Sequence, residues 1–358
     1  MRGWAGLALC AAAAAACSSG TSPQAAPSTR PSPSRSPSAV PTSSAPRVHA
    51  AVTLAFGGDV HFEGAVRRRL LANPRTVLEP VASLLRGADI AMVNLETTVS
   101  DRGRPQPKDY VFRAPASAFT GLLAGGVDVV TVANNHGVDY GTVSLLDTLA
   151  RGRAAGMPVV GAGKDEDEAY APWRTTVDGE RIAILGATQV LDSFATESWV
   201  AGPGKAGLAS AKRVARLVRA VQQARATSDT VVVYLHWGKE MAACPTAVQR
   251  GLARTLVDAG ADVIVGSHAH VVLGSGWLGR AYVDYGLGNF LFYASGGGPT
   301  SRSGVLQLTV RGRDVTSARW RPAVLEGGRT RPLVGAAAAT AVARHDSQRA
   351  CTGLGAAA

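Results

Sequence analysis

Acidic, imidazole and amide side chains in this sequence follow short apolar runs that are rich in Val and Ile. They are Asp59, His61, Asn94, Glu96, Asn134, Asn135, His136, His236, Glu240, His268 and His270. Carboxylate and imidazole groups are the ligands that bind zinc, manganese and iron in proteins, and an asparagine carbonyl can complete such a shell. The chemistry that these residues could support is metal-assisted, in which bound ions lower the pKa of a water molecule and neutralise charge on the attacked group.

The spacing of these residues favours one shared pocket. The Asp-Val-His and His-Ala-His sequences at residues 59–61 and 268–270 place alternate residues on one side of an extended chain. A lone histidine is more often a hydrogen-bonded structural residue than a ligand, and the amides could instead cap a helix or a turn. Every histidine between residues 52 and 313, however, follows a predicted strand. The set therefore predicts a pocket for two divalent ions, with Mn, Zn or Fe as candidates.

Buried strands that alternate with amphipathic helices must position these side chains. Nearly continuous apolar runs predict strands that are buried on both faces, and they lie in VTLAFGGDVHFEG, DIAMVNLETTVS, VDVVTVANNHGVDYG, RIAILGATQV, TVVVYLHWGKE, DVIVGSHAHVV and RAYVDYGLGNFLF. Helices are predicted at 65–85, 115–125, 144–155, 211–226 and 246–259. This alternation predicts an α/β fold with layered sheets and helices, whose site lies at the carboxyl ends of the strands. Beyond residue 304, VLQLTVRGRDVTSARWRPAVLEGG predicts a C-terminal β-hairpin with RGRD as its turn.

Six motifs in order give this chain a resemblance to a known family. They are GGDVHFEG, ADIAMVNLETTVS, VDVVTVANNHGVDYG, LHWGKE, GADVIVGSHAHV and YGLGNFLF. Together they resemble the CapA family of poly-γ-glutamate capsule biosynthesis, which is related to the calcineurin-like metallophosphoesterases, over residues 52–292. The resemblance implies a four-layer α-β-β-α sandwich of the metallophosphoesterase type.

The resemblance also implies a role for each matching residue. The ligands that it assigns to the two ions are Asp59, His61 and His270 for one, and Asn135, His236 and His268 for the other. Glu96 is the expected bridging carboxylate, because Asn94-Leu95-Glu96 stands where metallophosphoesterases have an aspartate in a Gly-Asp motif. His136 matches the position of the superfamily's general acid, and Asp139 would orient it.

The pocket walls are predicted less specifically. Candidate substrate-binding residues are Asn94, Asn134, Trp237, Glu240 and Asn289, with packing or surface solvation as the alternative for these positions. A hydroxide formed in such a pocket could attack a phosphoester or an amide carbonyl. The motifs therefore identify reaction machinery better than they identify a substrate.

The chain begins with MRGWAGLALCAAAAAAC, in which a positively charged residue, Arg2, is followed by a short apolar stretch. This pattern predicts a signal peptide over residues 1–17. Small residues around Cys17 resemble a bacterial lipoprotein cleavage site, although Ala14 stands where such sites usually carry Leu. Two acyl chains on Cys17 would anchor the protein to the outer face of the cell membrane. The alternative is an ordinary secretory signal and a secreted protein.

The remaining chain divides into three predicted parts. Residues 18–50 are rich in Ser and Pro without apolar periodicity, which predicts a disordered linker. A globular domain is predicted over residues 51–330, and residues 331–358 read as an Ala/Arg-rich tail. An oxidising exterior would allow Cys244 and Cys351 to form a disulfide, with two separate thiols as the alternative.

The formal net charge of +11 is carried by scattered arginines, with clusters at residues 67–69 and 311–331. For an exported protein we expect no nucleic-acid partner, and the basic surface suits an anionic extracellular polymer or its precursor. The leading prediction is a metal-dependent hydrolase or transferase in the synthesis, release or attachment of such a polymer, working with membrane-bound synthase subunits. The alternatives are a non-catalytic protein that guides the polymer in a membrane assembly, and an exported phosphodiesterase or nucleotidase.

Overall fold

Two β-sheets organise the computed structural model, which describes residues 48–293 and 297–358. The strands in these ranges are β1 (Val52–Val60), β2 (Ile90–Leu95), β3 (Thr98–Val99), β4 (Arg113–Ala114), β5 (Val129–Thr131), β6 (Val159–Val160), β7 (Ala162–Gly163), β8 (Trp173–Val177), β9 (Glu180–Thr188), β10 (Gly207–Leu208), β11 (Thr230–His236), β12 (Val263–Ser267), β13 (Ser275–Leu278), β14 (Ala281–Asp284), β15 (Asn289–Leu291), β16 (Arg302–Arg311), β17 (Asp314–Glu326) and β18 (Arg329–Pro332). The α-helices are α1 (Gly64–Ala72), α2 (Ala82–Arg86), α3 (Ser117–Gly125), α4 (Thr142–Ala155), α5 (Glu166–Tyr170), α6 (Val214–Arg225), α7 (Ala247–Ala259) and α8 (Gly335–Ser347). The predicted signal peptide, Cys17 and most of the predicted linker lie outside the described residues.

Parallel strands form the centre of each sheet. The first sheet has the order β18-β17-β16-β1-β2-β5-β6, in which β1, β2, β5 and β6 are parallel and β15 pairs with the end of β1. The second sheet has the order β13-β14-β12-β11-β9-β8, in which β9, β11, β12 and β14 are parallel. The carboxyl ends of the central strands therefore meet at one edge of each sheet, where open α/β sheets place their sites.

Side chains of β1 alternate between two cores. Leu54 and Phe56 pack in a core that also contains Tyr234 of β11, so this core lies between the two sheets. Ala55 points the other way, into a core formed with helices α1 to α4. The outer face of the second sheet packs on α6 and α7, with Leu217 as one of the buried residues. The layers are helix, sheet, sheet and helix, so the predicted four-layer α-β-β-α sandwich is confirmed.

The predicted helices are present, but the first one is divided, and α5 and α8 were not predicted. A single helix was expected over 65–85, but α1 ends at Ala72 and α2 begins at Ala82. Pro74 and Pro80 lie between them, each at the start of a short 3₁₀ turn. Proline has no backbone N–H and disfavours a helical conformation in the residue before it, so the helix cannot continue through this segment. No helix among the described residues has the length and apolar content needed to cross a bilayer.

The C-terminal β-hairpin is confirmed. Strands β16 and β17 pair in antiparallel fashion, with Arg311 opposite Asp314 across the predicted turn. The chain then adds β18 to the outer edge of β17, which makes the hairpin a three-stranded extension of the first sheet.

The predicted tail belongs to the folded unit, which extends from Val48 to Ala358. Helix α8 packs on β17, where the ring of His345 stacks on Trp320 with the centroids 4.7 Å apart. After α8, Cys351 forms a disulfide with Cys244, and their Cα atoms are 5.8 Å apart. An Ala-rich segment can fold here because the buried imidazole and the disulfide fix it to the domain.

Candidate metal centre

A bulge near the end of β1 sets the position of Asp59. The pairing of β1 with β2 shifts in register between Phe56 and Asp59. A Cβ atom at Gly58 would lie 1.8 Å from the carbonyl oxygen of Gly288, so glycine is required where these two backbones meet. The backbone N–H of Asp59 donates to the same carbonyl at 2.9 Å, and the side chain of Asp59 is fully buried.

Amide groups hold the carboxylate of Asp59. Its Oδ1 accepts a 2.8 Å hydrogen bond from Asn94 Nδ2, and its Oδ2 accepts a 3.2 Å bond from the backbone N–H of His268. Asn134 Nδ2 donates in turn to Asn94 Oδ1 at 2.9 Å. The ends of β1, β2, β5 and β12 are thus joined by one hydrogen-bonded chain.

Glu96 is a buried carboxylate without a hydrogen-bond partner among the described residues. Neither Oε1 nor Oε2 has one, and the side chain is 0% exposed. Two imidazole nitrogens, Nε2 of His136 and Nε2 of His236, lie 3.9 and 3.8 Å from Oε1. Burial and the nearby carboxylate of Asp59 raise the pKa of Glu96 well above its usual value. An ionised carboxylate without a partner is strongly unfavourable in a protein interior, so this side chain indicates a cation site.

Glu96 belongs to a first group of possible metal ligands with Asp59 and His236. One ligand atom from each of the three residues lies within 4.8 Å of the others. His236 is oriented by Asn135 Oδ1, 2.8 Å from its Nε2, and by Ser267 Oγ, 3.0 Å from its Nδ1. Burial and the neighbouring His268 lower the pKa of His236 well below its usual value, so the imidazole is neutral, as a metal ligand must be.

A second group of possible ligands consists of Glu240, His268 and His270, again with one ligand atom each within 4.8 Å. Both histidines follow the end of β12 and have left-handed backbones, with φ values of 92° for His268 and 55° for His270. Such values are uncommon for residues other than glycine and are found where a site requires them. The Nδ1 atom of His270 lies 3.4 Å from Asp59 Oδ2, so the two groups are adjacent.

The two histidines of the second group differ in charge. Burial and the charge of His270 lower the pKa of His268 to about 4, and its Nδ1 is buried without a hydrogen-bond partner among the described residues. Burial also lowers the pKa of His270, but the charge of Glu96 and the hydrogen bond with Asp59 outweigh it and raise that pKa to about 10. A proton on His270 and a bound cation would therefore compete for the same carboxylates.

His136 and Asp139 form a hydrogen-bonded pair beside Glu96. His136 Nδ1 lies 2.6 Å from Asp139 Oδ2, and the same oxygen accepts a 2.6 Å bond from the backbone N–H of Phe112. The imidazole stacks on the ring of Phe112 with the centroids 4.1 Å apart. Burial lowers the pKa of His136 despite its hydrogen bond to Asp139, so the ring is neutral at neutral pH. Asp139 therefore holds the imidazole ring in place, and the predicted catalytic roles of the pair stay a prediction.

Lys108 is a site residue that the sequence did not reveal. Its Nζ donates to the carbonyl oxygen of Asn135 at 2.6 Å and lies 3.0 Å from Asp139 Oδ1 and 3.1 Å from Asp192 Oδ2. The side chain is only 8% exposed. Lys108 lies in a polar, proline-containing loop, where a lysine is ordinarily solvated, and no sequence pattern sets it apart.

A cavity of about 290 Å³ opens at Glu240 and His270 of the second group of ligands. Its walls combine charged groups with aromatic rings, and they are formed by Lys108, Asp109, Tyr110, Phe112, Asn135, His136, Asp192, Glu240, His270, Phe292 and Tyr293. His136, Glu240 and His270 are the members of the predicted site that face it together with Asn135. The cavity gives a substrate access to the side of the site that holds His136, Glu240 and His270.

His61 does not lie in either group of possible ligands. The backbone N–H of Glu63 is 3.1 Å from its Nδ1, and the backbone N–H of Tyr293 is 3.2 Å from its Nε2. The ring stacks on Phe112 with the centroids 4.6 Å apart. The predicted set of Asp59, His61 and His270 around one ion stays a prediction. Both nitrogens of His61 face backbone N–H groups, and a neutral imidazole can accept a hydrogen bond from only one of them.

Three of the predicted substrate-binding residues are fully buried in the structure. Asn94 and Asn134 are fully buried and bonded to each other, and Trp237 is fully buried with its Nε1 donating to the carbonyl oxygen of Tyr285 at 3.0 Å. These side chains position the site and do not line the cavity.

Asn289 and Glu240, the remaining candidates, differ from each other. Asn289 Oδ1 lies 2.9 Å from His270 Nδ1, so this side chain orients the histidine. Glu240 is exposed, lines the cavity and belongs to the second group of ligands. Asn135 and His236 face each other, as described above, so Asn135 remains within reach of the first group.

The donor set fits a divalent transition metal. It combines imidazole nitrogens with carboxylate oxygens and contains no thiolate, a composition that suits Zn, Mn or Fe. The buried, unpaired oxygens of Glu96 and the unpaired Nδ1 of His268 are the ligand atoms that such an ion would satisfy. Residues at five strand ends supply the donors and the groups that orient them.

The fold and the site define an α/β sandwich protein with a candidate metal centre at the carboxyl ends of its strands. Residues 53–294 match the family described as bacterial capsule synthesis protein PGA_cap, and the chain belongs to that family. The predicted resemblance to the CapA family is confirmed by this match.

Two relatives illustrate the similarity. The chain is 30% identical over 266 residues to the capsule biosynthesis protein CapA of Bacillus anthracis, covering 73% of this chain and 64% of that protein. It is 30% identical over 220 residues to the PGA biosynthesis protein CapA of Bacillus subtilis strain 168, covering 61% of this chain and 57% of that protein. The chain thus spans less than two thirds of the length of either relative. Among solved structures, a phosphatase of Mycoplasma pneumoniae superposes with a TM-score of 0.48 at 14% identity, over 77% of this chain and 94% of that one.

Proposed function

We propose that this protein is a metal-dependent hydrolase that acts on an anionic extracellular polymer, such as poly-γ-glutamate, or on its precursor. The observation that carries the proposal is the Glu96 carboxylate, which is fully buried and unpaired beside the imidazoles of His136 and His236. A buried carboxylate of this kind is stable when a cation neutralises it. The cavity that His136 lines, next to Glu96, admits a substrate.

Two groups of residues would hold the ions. Asp59, Glu96 and His236 would bind one, and Glu240, His268 and His270 would bind a second. When bound, such ions supply a water molecule of lowered pKa and neutralise charge on the attacked group. Asn135, which faces His236, would complete the first shell through its side-chain oxygen.

His136 would move the proton. Its Nδ1 donates to Asp139, which leaves Nε2 directed at Glu96 and the cavity. Because burial lowers the pKa of His136, Nε2 carries no proton at neutral pH and first accepts one from the attacking water. It then donates this proton to the leaving oxygen or nitrogen. His136 thus acts first as a general base and then as the predicted general acid, and it returns to its neutral form.

The polymer is proposed from two kinds of support. The names of the two Bacillus relatives refer to capsule and PGA biosynthesis. The net charge of +11 suits an anionic chain. We extend the proposal to a role in the synthesis, release or attachment of the polymer, in contact with membrane-bound synthase subunits and not with nucleic acid.

We place this activity at the outer face of the cell membrane. A lipid anchor on Cys17 would hold the protein there, and the Ser/Pro-rich segment of residues 18–50 would act as a tether. The disulfide between Cys244 and Cys351 supports an oxidising compartment. Metabolic labelling with a fatty acid tests the anchor, and a Cys17→Ala variant that is still labelled would contradict it.

Metal analysis of the purified full chain tests the site. We expect a divalent transition metal in the wild type and its loss in Glu96→Gln, because glutamine is a poor ligand of nearly the same shape. The matched control is Glu79→Gln, an exposed glutamate outside the site, which retains the metal. A wild type without bound metal after reconstitution with Zn, Mn and Fe would overturn the proposal.

Substrate panels then separate the reaction classes. Hydrolysis of poly-γ-glutamate or γ-glutamyl peptides by the metal-loaded wild type, but not by Glu96→Gln, is the expected result. Turnover of phosphoesters alone would identify an exported phosphodiesterase instead. Metal binding without turnover of either class, together with unchanged polymer output in the variant, would identify a non-catalytic guiding protein.

A further inference from the structure

Six arginines that the proposed chemistry does not use lie together on α1, β4 and β18. We call them the arginine rim, and they are Arg67, Arg68, Arg69, Arg113, Arg329 and Arg331. Arg68, Arg329 and Arg331 are exposed, and the other three are half-buried. The rim combines residues that are far apart in sequence, so its charge density is a product of the fold.

Backbone carbonyls fix the half-buried members of the rim. Arg69 donates from Nη1 to the carbonyl oxygen of Gly327 at 2.8 Å and from Nη2 to that of Gly328, which ties α1 to the turn that leads into Arg329. Arg67 Nη1 donates to the carbonyl oxygen of Arg113 at 2.7 Å. These bonds hold the guanidinium groups in place without neutralising them.

The positive charges of the rim exceed the negative charges beside it. Glu63 lies 3.7 Å from Arg67, and Glu326 lies 3.1 Å from Arg331. The side chains of Arg68 and Arg329 make no hydrogen bond or ion pair with the described part of the chain. Burial, together with the charges of Arg329 and Arg68, lowers the pKa of Arg69, as expected where like charges are held together.

The rim adjoins the cavity of the candidate metal centre. A Cβ atom at Gly64, the first residue of α1, would lie 3.3 Å from Tyr293 Cβ, and one at Gly328 would lie 3.5 Å from the carbonyl oxygen of Phe292. Both aromatic residues line the cavity. On the other side, Arg113 directly follows the cavity residue Phe112. A bound chain could therefore pass from the rim to the cavity without leaving the surface.

We propose that the arginine rim binds a linear polymer of regularly spaced carboxylates and presents a segment of it to the adjacent cavity. The occupant is anionic because the rim has an uncompensated positive charge, and it is extended because the six guanidinium groups are spread over three elements. The identification of the polymer as a polycarboxylate rests on the proposed function, whereas the rim itself is defined by the structure alone.

Binding of fluorescently labelled poly-γ-glutamate to the full chain tests the proposal. We expect the wild type to bind, with a dissociation constant that rises with ionic strength because the contacts are exposed ion pairs. The double variant Arg68→Ser/Arg329→Ser should bind roughly tenfold more weakly, since each exposed pair is worth a factor of about two to five. The matched control, Arg219→Ser/Arg254→Ser, removes the same charge from exposed positions on α6 and α7 and should bind like the wild type.

The outcomes are distinguishable from those of the metal test. Loss of polymer binding with unchanged metal content in Arg68→Ser/Arg329→Ser supports the rim. Equal weakening in the control variant, no change in the double variant, or no binding by the wild type overturns it and leaves the metal-dependent proposal standing. Binding to vesicles of anionic phospholipid that needs the same two arginines, without binding to the polymer, also overturns it, because the rim would then be a membrane contact.

Discussion

Asp139 Oδ2 lies 2.6 Å from Nδ1 of His136 and accepts a hydrogen bond from it, while Asp139 Oδ1 lies 3.0 Å from Nζ of Lys108. One buried carboxylate therefore orients the imidazole and is itself held by a cation. The arrangement fixes the tautomer of His136, with the proton on Nδ1, and leaves Nε2 directed at the cavity.

The first prediction concerns this carboxylate. In Asp139→Asn the amide can present its N–H₂ group to His136 and stabilise the wrong tautomer, so hydrolysis by the metal-loaded protein should fall by about 10² to 10⁴-fold, mainly through kcat. Steady-state kinetics on the substrate identified in the panel provide the measurement. The exposed Asp101→Asn variant is the control. Unchanged kcat in Asp139→Asn would show that Asp139 has no part in proton transfer.

The second prediction concerns Lys108. Lys108→Met leaves Asp139 buried with its Oδ1 unpaired, so the free energy of unfolding should fall by about 3 to 5 kcal/mol. Urea denaturation of the metal-free protein measures this loss. In Lys164→Met, where the lysine is exposed, the change should stay within about 0.5 kcal/mol. Equal small losses in both variants would mean that the buried ion pair contributes nothing measurable.

The third prediction follows from the left-handed backbone of His270, whose φ is 55°. Both His270→Gly and His270→Ala remove the imidazole, but glycine adopts this conformation without strain. In the metal-free protein the glycine variant should therefore be more stable than the alanine variant by about 1 kcal/mol. At an ordinary helical position the order would be reversed, so an alanine variant that is the more stable of the two would contradict the geometry.

The fourth prediction uses the pKa of His268, which is lowered from 6.5 to about 4. Between these pH values the unfolded chain binds a proton at this histidine and the folded chain does not. The contribution of His268 to the free energy of unfolding is therefore complete above pH 6.5 and is lost as the pH falls towards 4. Asparagine tolerates the left-handed backbone and does not titrate. In His268→Asn the free energy of unfolding should therefore fall by about 3 kcal/mol less than in the wild type between pH 6.5 and 4. Chemical denaturation at several pH values in a chelator measures the difference. Parallel pH curves for wild type and variant would rule out a buried, neutral His268.

The strands and most of the site could be predicted because parallel strands deliver their carboxyl ends to one edge. Asp59, Glu96, His236, His268 and His270 were all found from this rule, and the structure brings their ligand atoms together. Chain direction and apolar runs are encoded locally, so the sequence is sufficient for this level of description.

The pairing of ligands could not be predicted, because it depends on local backbone shape. The pairing of β1 shifts in register between Phe56 and Asp59 against β2 and again between Asp59 and Val60 against β15, and no sequence pattern predicts these irregularities. His268 and His270 lie together because their backbones are left-handed, and not because the segment is extended. Lys108 was missed because its partners, Asp139 and Asp192, are distant in sequence and meet it only in the folded chain.

The disulfide between Cys244 and Cys351 closes the intervening segment into a covalent ring that contains α7, α8 and every strand from β12 to β18. A protease that cuts the exposed turn at Gly327 would open the ring, and the two fragments would stay joined by the disulfide. The strand and helix that follow the cut would stay attached until a reductant opened the bridge. A single backbone cleavage between Cys244 and Cys351 therefore leaves the folded unit as one covalently linked molecule.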